Sequence, residues 1–450
     1  MSATRLEAIE RVVARGIKAG GYPGAAVVVG RNGAAVMERG FGKLSWLSTS
    51  PAVDAQQTIY DVASLTKVVG TTAAIMILFD EKKIDLDERL VTYIPTFNGG
   101  EKDRVTIRQL LTHTSGLPAG RDLWRITQSP LEARAAVVGT SLEARPGTRY
   151  IYSDLGADLL GLLVEVVSGE PLDKFLDRRV FAPLGMNDTF YRPADSLRYR
   201  IAPTEVTPPR GYPLRGEVHD ENAFALGGVA GHAGLFSTAT DLSVFAQMML
   251  NGGEYNGVQI ISRPTVELFT SRSVGHRALG WDTAEGDHGA GRYLESTAYG
   301  HTGFTGTSLW IDPERQMFVI LLTNRVHAAR ALRPAKVISD VRADLSDAAV
   351  LAVLDGPAIA GGKRTFRSDR AVGWNPAPRR VSKRRHASSR RQAIARASRS
   401  RVSAAKARAA KARAVKARAA KSRASAAKKK ASSTRATPAK RPVKKTTKKS

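Results

Sequence analysis

Three short stretches carry side chains whose types suit acyl-transfer chemistry: Ser64-Leu65-Thr66-Lys67, Tyr152-Ser153-Asp154 and His301-Thr302-Gly303. If the apolar run over residues 68–79 is a helix starting near Ser64, residues three apart share a face, and the Ser64 hydroxyl lies beside the Lys67 ammonium. A nucleophile and its activator can be built that way. At a helix start the peptide N–H of Ser64 lacks an intrahelical acceptor and suits an oxyanion. Burial by the flanking apolar residues disfavours a charged amine, so the Lys67 pKa is expected to fall toward working pH. Alone, S-x-x-K is a common pattern and a Ser at a helix start is usually an N-cap. The other two stretches give it weight.

Stepping outward, Leu6, Ile9, Val12, Val13 and Ile17 recur at helical spacing and predict an amphipathic first helix ending at Gly20-Gly21. Residues 24–29 and 34–39 read as strands joined at Asn32-Gly33, a strong hairpin signal. Residues 106–113 read as a short helix, with His113 as a structural residue in its last turn, where a His suits the helix dipole. Strand texture returns over 299–303, 308–312 and 316–323, and a closing helix is expected over about 334–354. Strands at both ends of a folded unit, with helices between, predict a mixed α/β (α+β) fold. It would have one antiparallel sheet flanked by helices and a helical lobe, and the cleft between sheet and lobe would be the pocket.

The chain has 450 residues and a net charge of +28, but that charge is local. Residues 363–450 hold 32 of the 69 Lys and Arg and a single acid, Asp369, whereas residues 1–362 carry 37 basic and 40 acidic residues. A folded domain over 1–355, a linker over 356–378 and a disordered basic tail over 379–450 are therefore expected. In the tail, Lys406, Lys411, Lys416 and Lys421 repeat every five residues, which spirals charge round every face of a helix and leaves no apolar stripe. Salt-dependent binding to nucleic acid or another polyanion is the direct expectation. No aromatic interrupts the repeat, so base stacking has no support.

There is no Cys, which removes disulfides, thiolate metal sites and a cysteine nucleophile. The first ten residues lack the basic start and apolar core of a signal peptide, and no run is expected to span a membrane, so a cytoplasmic location is the reading. His219-Asp220-Glu221 followed by His232 invites a metal. A polar loop of this kind is more often held by its own hydrogen bonds, and no metal or cofactor is expected.

In order and spacing, the three stretches resemble the S-x-x-K, Y-x-N and K-T-G elements of the serine β-lactamase and penicillin-binding superfamily, and within it the class C β-lactamase branch with its D-alanyl-D-alanine carboxypeptidases and family VIII esterases. Residues 110–117 and 227–237 add to the likeness, which covers about residues 5–355. The resemblance implies a β-lactamase/transpeptidase-like fold and assigns roles. Ser64 forms the acyl-enzyme, Lys67 and Tyr152 supply the base as a coupled pair, and Asp154, His301, Thr302 and Gly303 meet substrate. The backbone N–H groups of Ser64 and Phe304 form the oxyanion hole. The tail is similar to the Lys/Ala-rich tails of linker-histone-like proteins.

Two departures stand out. Asp154 replaces the usual Asn, so a carboxylate is positioned to ion-pair with Lys67, keep it protonated and shift the base role toward Tyr152. His301 replaces the Lys of K-T-G and removes a fixed cation; Arg292 is a candidate replacement, although a solvated surface Arg is the more frequent outcome. The function read from the sequence is a serine hydrolase acting on an ester or D-alanyl-type amide of a small-molecule or peptide substrate. The alternative is a nucleic-acid-associated protein whose hydrolase fold is catalytically passive.

Overall fold

Helix α1 (Ala3–Lys18) starts at Ser2, whose hydroxyl accepts from Arg5 N, and turns Leu6, Ile9, Val12 and Val13 inward. The computed structural model describes residues 1–285, 289–327, 335–355 and 365–374. Strands β1 (Gly24–Arg31) and β2 (Ala34–Gly42) follow. They join through Asn32 and Gly33, both in the left-handed region at φ 50° and 80°, which matches the twist of a two-residue hairpin.

The rest of the main sheet comes from far along the chain: β3 (Asp282–Thr283), β4 (Tyr299–Gly303), β5 (Thr307–Asp312) and β6 (Met317–Thr323). The order is β2-β1-β6-β5-β4-β3, every pair antiparallel. β1 pairs with β6 through Val28↔Ile320 and its neighbours. Both strands are nearly continuous in apolar residues because both their faces are covered. Ala25, Val27, Val29, Met317, Val319 and Leu321 face one core with α1 and α6 (Lys336–Leu351). Ala26, Val28, Phe318, Ile320 and Leu322 face the other, which contains α2 (Ala73–Asp80), α4 (Asp154–Ser168) and α5 (Ala239–Leu250).

Two expectations need amendment. The helical stretch Ala63–Asp80 is long and apolar enough to cross a bilayer, yet 83% of it is buried in the fold, so it is a core helix. Residues 365–374, inside the expected linker, pack on the body: Trp374 is 4% exposed and donates from Nε1 to Asp340 Oδ2 on α6 at 2.8 Å. Two aromatics in a basic segment were the signal, because Phe366 and Trp374 have apolar area to bury. The tail, residues 379–450, lies outside the described residues.

Candidate active site

The segment leading to Ser64 is fixed on both sides. Tyr60–Asp61 pairs with Leu235–Ser237. Thr305 within the β4–β5 turn and Thr307 at the start of β5 donate from their hydroxyls to Asp61 O and Val62 O at 2.7 and 2.9 Å. The Asp61 carboxylate accepts from Ala63 N at 2.8 Å and from His219 N at 2.7 Å. So held, Ala63 takes φ 49°, a conformation that costs a non-glycine residue on the order of 1 kcal/mol and tends to sit at functional sites. Ser64 follows in a 3₁₀ turn, Ala63–Leu65, and Lys67 opens a π-helical turn, Lys67–Thr72, that runs into α2.

Lys67 is 3% exposed. Nζ donates to Ser64 Oγ at 3.0 Å and to His232 O at 3.0 Å, and pairs with Asp154 Oδ1 at 2.7 Å. The Lys67 pKa does not fall, because the Asp154 ion pair expected from the sequence forms. Burial acts in that direction, but the Asp154 charge, with a contribution from Tyr152, more than offsets it and leaves the pKa raised. Lys67 is an ammonium at neutral pH.

Asp154 is the first residue of α4, capped by Ser153, whose hydroxyl accepts from Gly156 N. Tyr152, two residues earlier, faces Lys67, with Nζ 5.0 Å from its ring centre. Its ring also lies against His113, 4.6 Å between centroids, and His301, 6.0 Å away. Helix α3 (Ile107–Leu111) begins with a Thr106–Gln109 capping box and delivers His113 just past its end at φ 55°. His113 does more than close a turn. Its Nδ1 accepts from Ser153 N at 3.1 Å, tying the two lobe segments together, and burial with nearby cations keeps its pKa well below 6.5. It is therefore neutral with the hydrogen on Nε2.

On the strand side, β4 places His301, Thr302 and Gly303 opposite. A Cβ built on Gly303 would lie 2.4 Å from Val62 O, so only glycine lets β4 approach the Ser64 segment this closely and bring the Phe304 backbone beside it. His301 is 2% exposed, donates from Nδ1 to Thr302 O at 2.8 Å, and is pushed down to about 4 by burial. It carries no charge at neutral pH. Arg292 does not restore the cation: its Nε pairs with Asp347 on α6 at 2.8 Å and its Nη2 bonds Thr365 O, anchoring the 365–374 segment instead. Two cations do approach this edge. Arg342 donates to Gly303 O, and Arg325 donates to Phe304 O with its guanidinium 4.8 Å from the Phe304 ring. Neither had a local sequence signal, because each comes from a distant element.

The polar loop before Gly227 is tied to the site by direct bonds. His219 Nε2 meets Glu205 at 2.9 Å and its ring stacks on Phe304, while the His232 ring lies between Asp158 and Asp220. The side-chain role of His232 and all of Asp158 escaped the sequence reading.

An antiparallel sheet, a helical lobe and a Ser-Lys-Tyr cluster between them define a β-lactamase-type serine hydrolase. The beta-lactamase family pattern matches residues 9–342, and the chain belongs to that family. A Bacillus subtilis (strain 168) N-acetylmuramyl-L-alanine amidase is 34% identical over 366 residues, 72% of this chain and 82% of the relative. An Escherichia coli (strain K12) protein assigned by name as a D-alanyl-D-alanine carboxypeptidase is 34% identical over 361 residues, 72% and 83% of the two chains. In fold, the chain is similar to a penicillin-binding protein homolog from Caulobacter crescentus (TM-score 0.63, 21% identity, 78% of this chain and 99% of that one). It is also similar to EstCE1, a hydrolase with promiscuous acyltransferase activity (TM-score 0.62, 21% identity, 77% and 99%).

Proposed function

We propose that the protein hydrolyses a D-alanyl-type amide of a cell-wall peptide through an acyl-enzyme on Ser64. The observation that carries this reading is the 3.0 Å contact of Lys67 Nζ with Ser64 Oγ while Asp154 holds the same ammonium at 2.7 Å. With Lys67 charged, the accepting role in the coupled pair passes to Tyr152. Acting as a phenolate beside the Lys67 ammonium, Tyr152 takes the proton as Ser64 Oγ bonds to the substrate carbonyl carbon. The carbonyl oxygen takes up negative charge toward the N–H groups of Ser64 and Phe304. The C–N bond then breaks, the leaving amine receives the proton, and water releases the acid from Ser64. Asp154, His301, Thr302 and Gly303 line the substrate's path.

Amide chemistry agrees with the names of the two relatives. An ester is the second reading, and EstCE1 shows that the fold admits a hydrolase with acyltransferase activity. A groove of about 950 Å³ lined by Trp124, Arg198, Tyr212, Arg215, Phe224 and Phe236 borders the 216–228 segment, which also supplies His219 and Asp220. Its lining mixes aromatic faces and arginines with Asp195 and Glu217 and includes none of Ser64, Lys67, Tyr152, Asp154 or His301.

A fluorophosphonate probe and a hydrolysis panel test the proposal. The panel pairs a D-Ala-D-Ala peptide and a muramyl-L-alanine amide with a p-nitrophenyl ester and a chromogenic cephalosporin. Labelling of the wild type but not of Ser64→Ala, with amide turnover, is expected; no adduct on the wild type would overturn it. For residues 379–450 we propose non-specific, salt-sensitive binding to a polyanion, supported by the charge count alone.

A further inference from the structure

Residues 231–232 are wedged between the Lys67 helix and α4. A Cβ built on Gly231 would stand 2.0 Å from Ala157 O on α4, so a glycine is required at that contact. Thr71 Oγ1 donates to Gly231 O at 2.7 Å, and Lys67 Nζ donates to the next carbonyl, His232 O, at 3.0 Å. The His232 side chain then reaches the other way. Nδ1 lies 2.7 Å from Asp158 Oδ1 and Nε2 lies 2.9 Å from Asp220 Oδ1, with His232 2% exposed and Asp158 4%. Ionised carboxylates only accept, so with both neighbours ionised both ring nitrogens carry hydrogen. In agreement, although burial alone would lower it, the two carboxylates hold the His232 pKa well above 6.5.

Asp154 and Asp158 are one turn apart on α4, so the helix presents two carboxylates on one face: one on the Lys67 ammonium and one on the His232 imidazolium. The carbonyl of His232 is one leg of the tripod around Nζ. Without a fixed carbonyl there, the ammonium is drawn to the Asp154 charge and its contact with Ser64 lengthens. We propose that His232 is a positioning residue for Lys67: the Asp158–His232–Asp220 clamp fixes the carbonyl that keeps the ammonium centred on Ser64. This rests on the role given to Lys67 and Ser64 above. It concerns a side chain that touches neither the nucleophile nor the described lining of the groove.

Two spectroscopic readings test the clamp without activity. In protein with ¹⁵N-labelled histidine rings, both nitrogens of His232 are expected to read as protonated at pH 8; a neutral tautomer overturns the proposal. The Lys67 ¹⁵Nζ signal is expected to move in His232→Gln/Asp158→Asn, which removes the imidazolium and the Asp158 charge together and leaves Asp220 to its backbone donors Asn222 N and Ala223 N. It should stay in place in Leu163→Ala, a control that opens a cavity on α4 away from the clamp.

In kinetics, the paired variant should lose about 10- to 100-fold in acylation rate with KM within about two-fold, the scale of a misplaced catalytic group. Asp158→Asn alone, which keeps shape and volume, should lose part of that and supplies the reading if the paired variant does not fold. Acylation within two-fold of wild type, or an equal loss in the Leu163→Ala control, refutes the clamp. A wild type that fails to label at Ser64 counts against the hydrolase proposal, and the two NMR readings then decide the clamp by themselves.

Discussion

Asp154 Oδ1 stands 2.7 Å from Lys67 Nζ, closer than Ser64 Oγ at 3.0 Å. A carboxylate thus occupies the position from which a neutral amide would leave the lysine free to lose its proton. The electrostatic balance around Ser64 follows from that contact, and so do the consequences below.

Asp154→Asn removes the largest influence holding the Lys67 ammonium, and the burial that remains lowers its pKa. In wild type the lysine stays charged through the neutral range and loses its proton only at alkaline pH. The pH profile of acylation is expected to show its alkaline limb moved down by about one unit or more in Asp154→Asn. Coincident limbs in the two proteins would show that Asp154 does not set the Lys67 charge.

Tyr152→Phe keeps the ring against His113 and His301 and deletes only the hydroxyl. A loss of about 10²- to 10⁴-fold in acylation, with little change in the unfolding midpoint, is the outcome of a general-base role. A change below three-fold would return that role to Lys67.

His301 contributes a pH-dependent stability with a definite sign. Its folded pKa of about 4 is below the unfolded value near 6.5, so the unfolded chain binds more protons between those limits. Stability from this residue is complete above about pH 6.5 and is lost as pH falls toward 4, on the order of 3 kcal/mol for the full shift. His113, also held neutral, acts in the same direction. Chemical denaturation at pH 7 and pH 4.5 should therefore show a smaller difference for His301→Gln than for wild type.

Gly231→Ala places a methyl against Ala157 O. The backbone must shift, at about 1–3 kcal/mol, and because the His232 carbonyl is next in the chain, activity is expected to fall further than in variants of equal stability. Thermal unfolding beside acylation rates separates the two effects.

Full-length protein and a chain ending at residue 377 should differ in retention on a polyanion. The longer form should lose affinity steeply as salt rises, with log K falling linearly in log [salt]. Equal retention of both would refute the proposed role of residues 379–450.

Much of this was legible in the sequence because it is local. Side-chain periodicity reports the partner face, so α1, the β1–β2 hairpin, the late strands and α6 fell where the apolar residues placed them. Ser64 and Lys67 are three residues apart, and any helical turn puts them together. Whether a lysine is charged, a histidine neutral or an arginine available depends on what other segments bring within a few ångströms, and no neighbouring residue announces that. At Lys67 the residues themselves pointed two ways, burial against the Asp154 carboxylate, and the 2.7 Å contact decided for the carboxylate. Burial discharged His301, and Asp347 engaged Arg292. Asp158 and Asp220, 74 and 12 residues from His232 in the chain, come together only in the fold to bracket its ring. Coulomb energies follow distance and burial through space, so the chemical groups came from the sequence and their charge states from the fold.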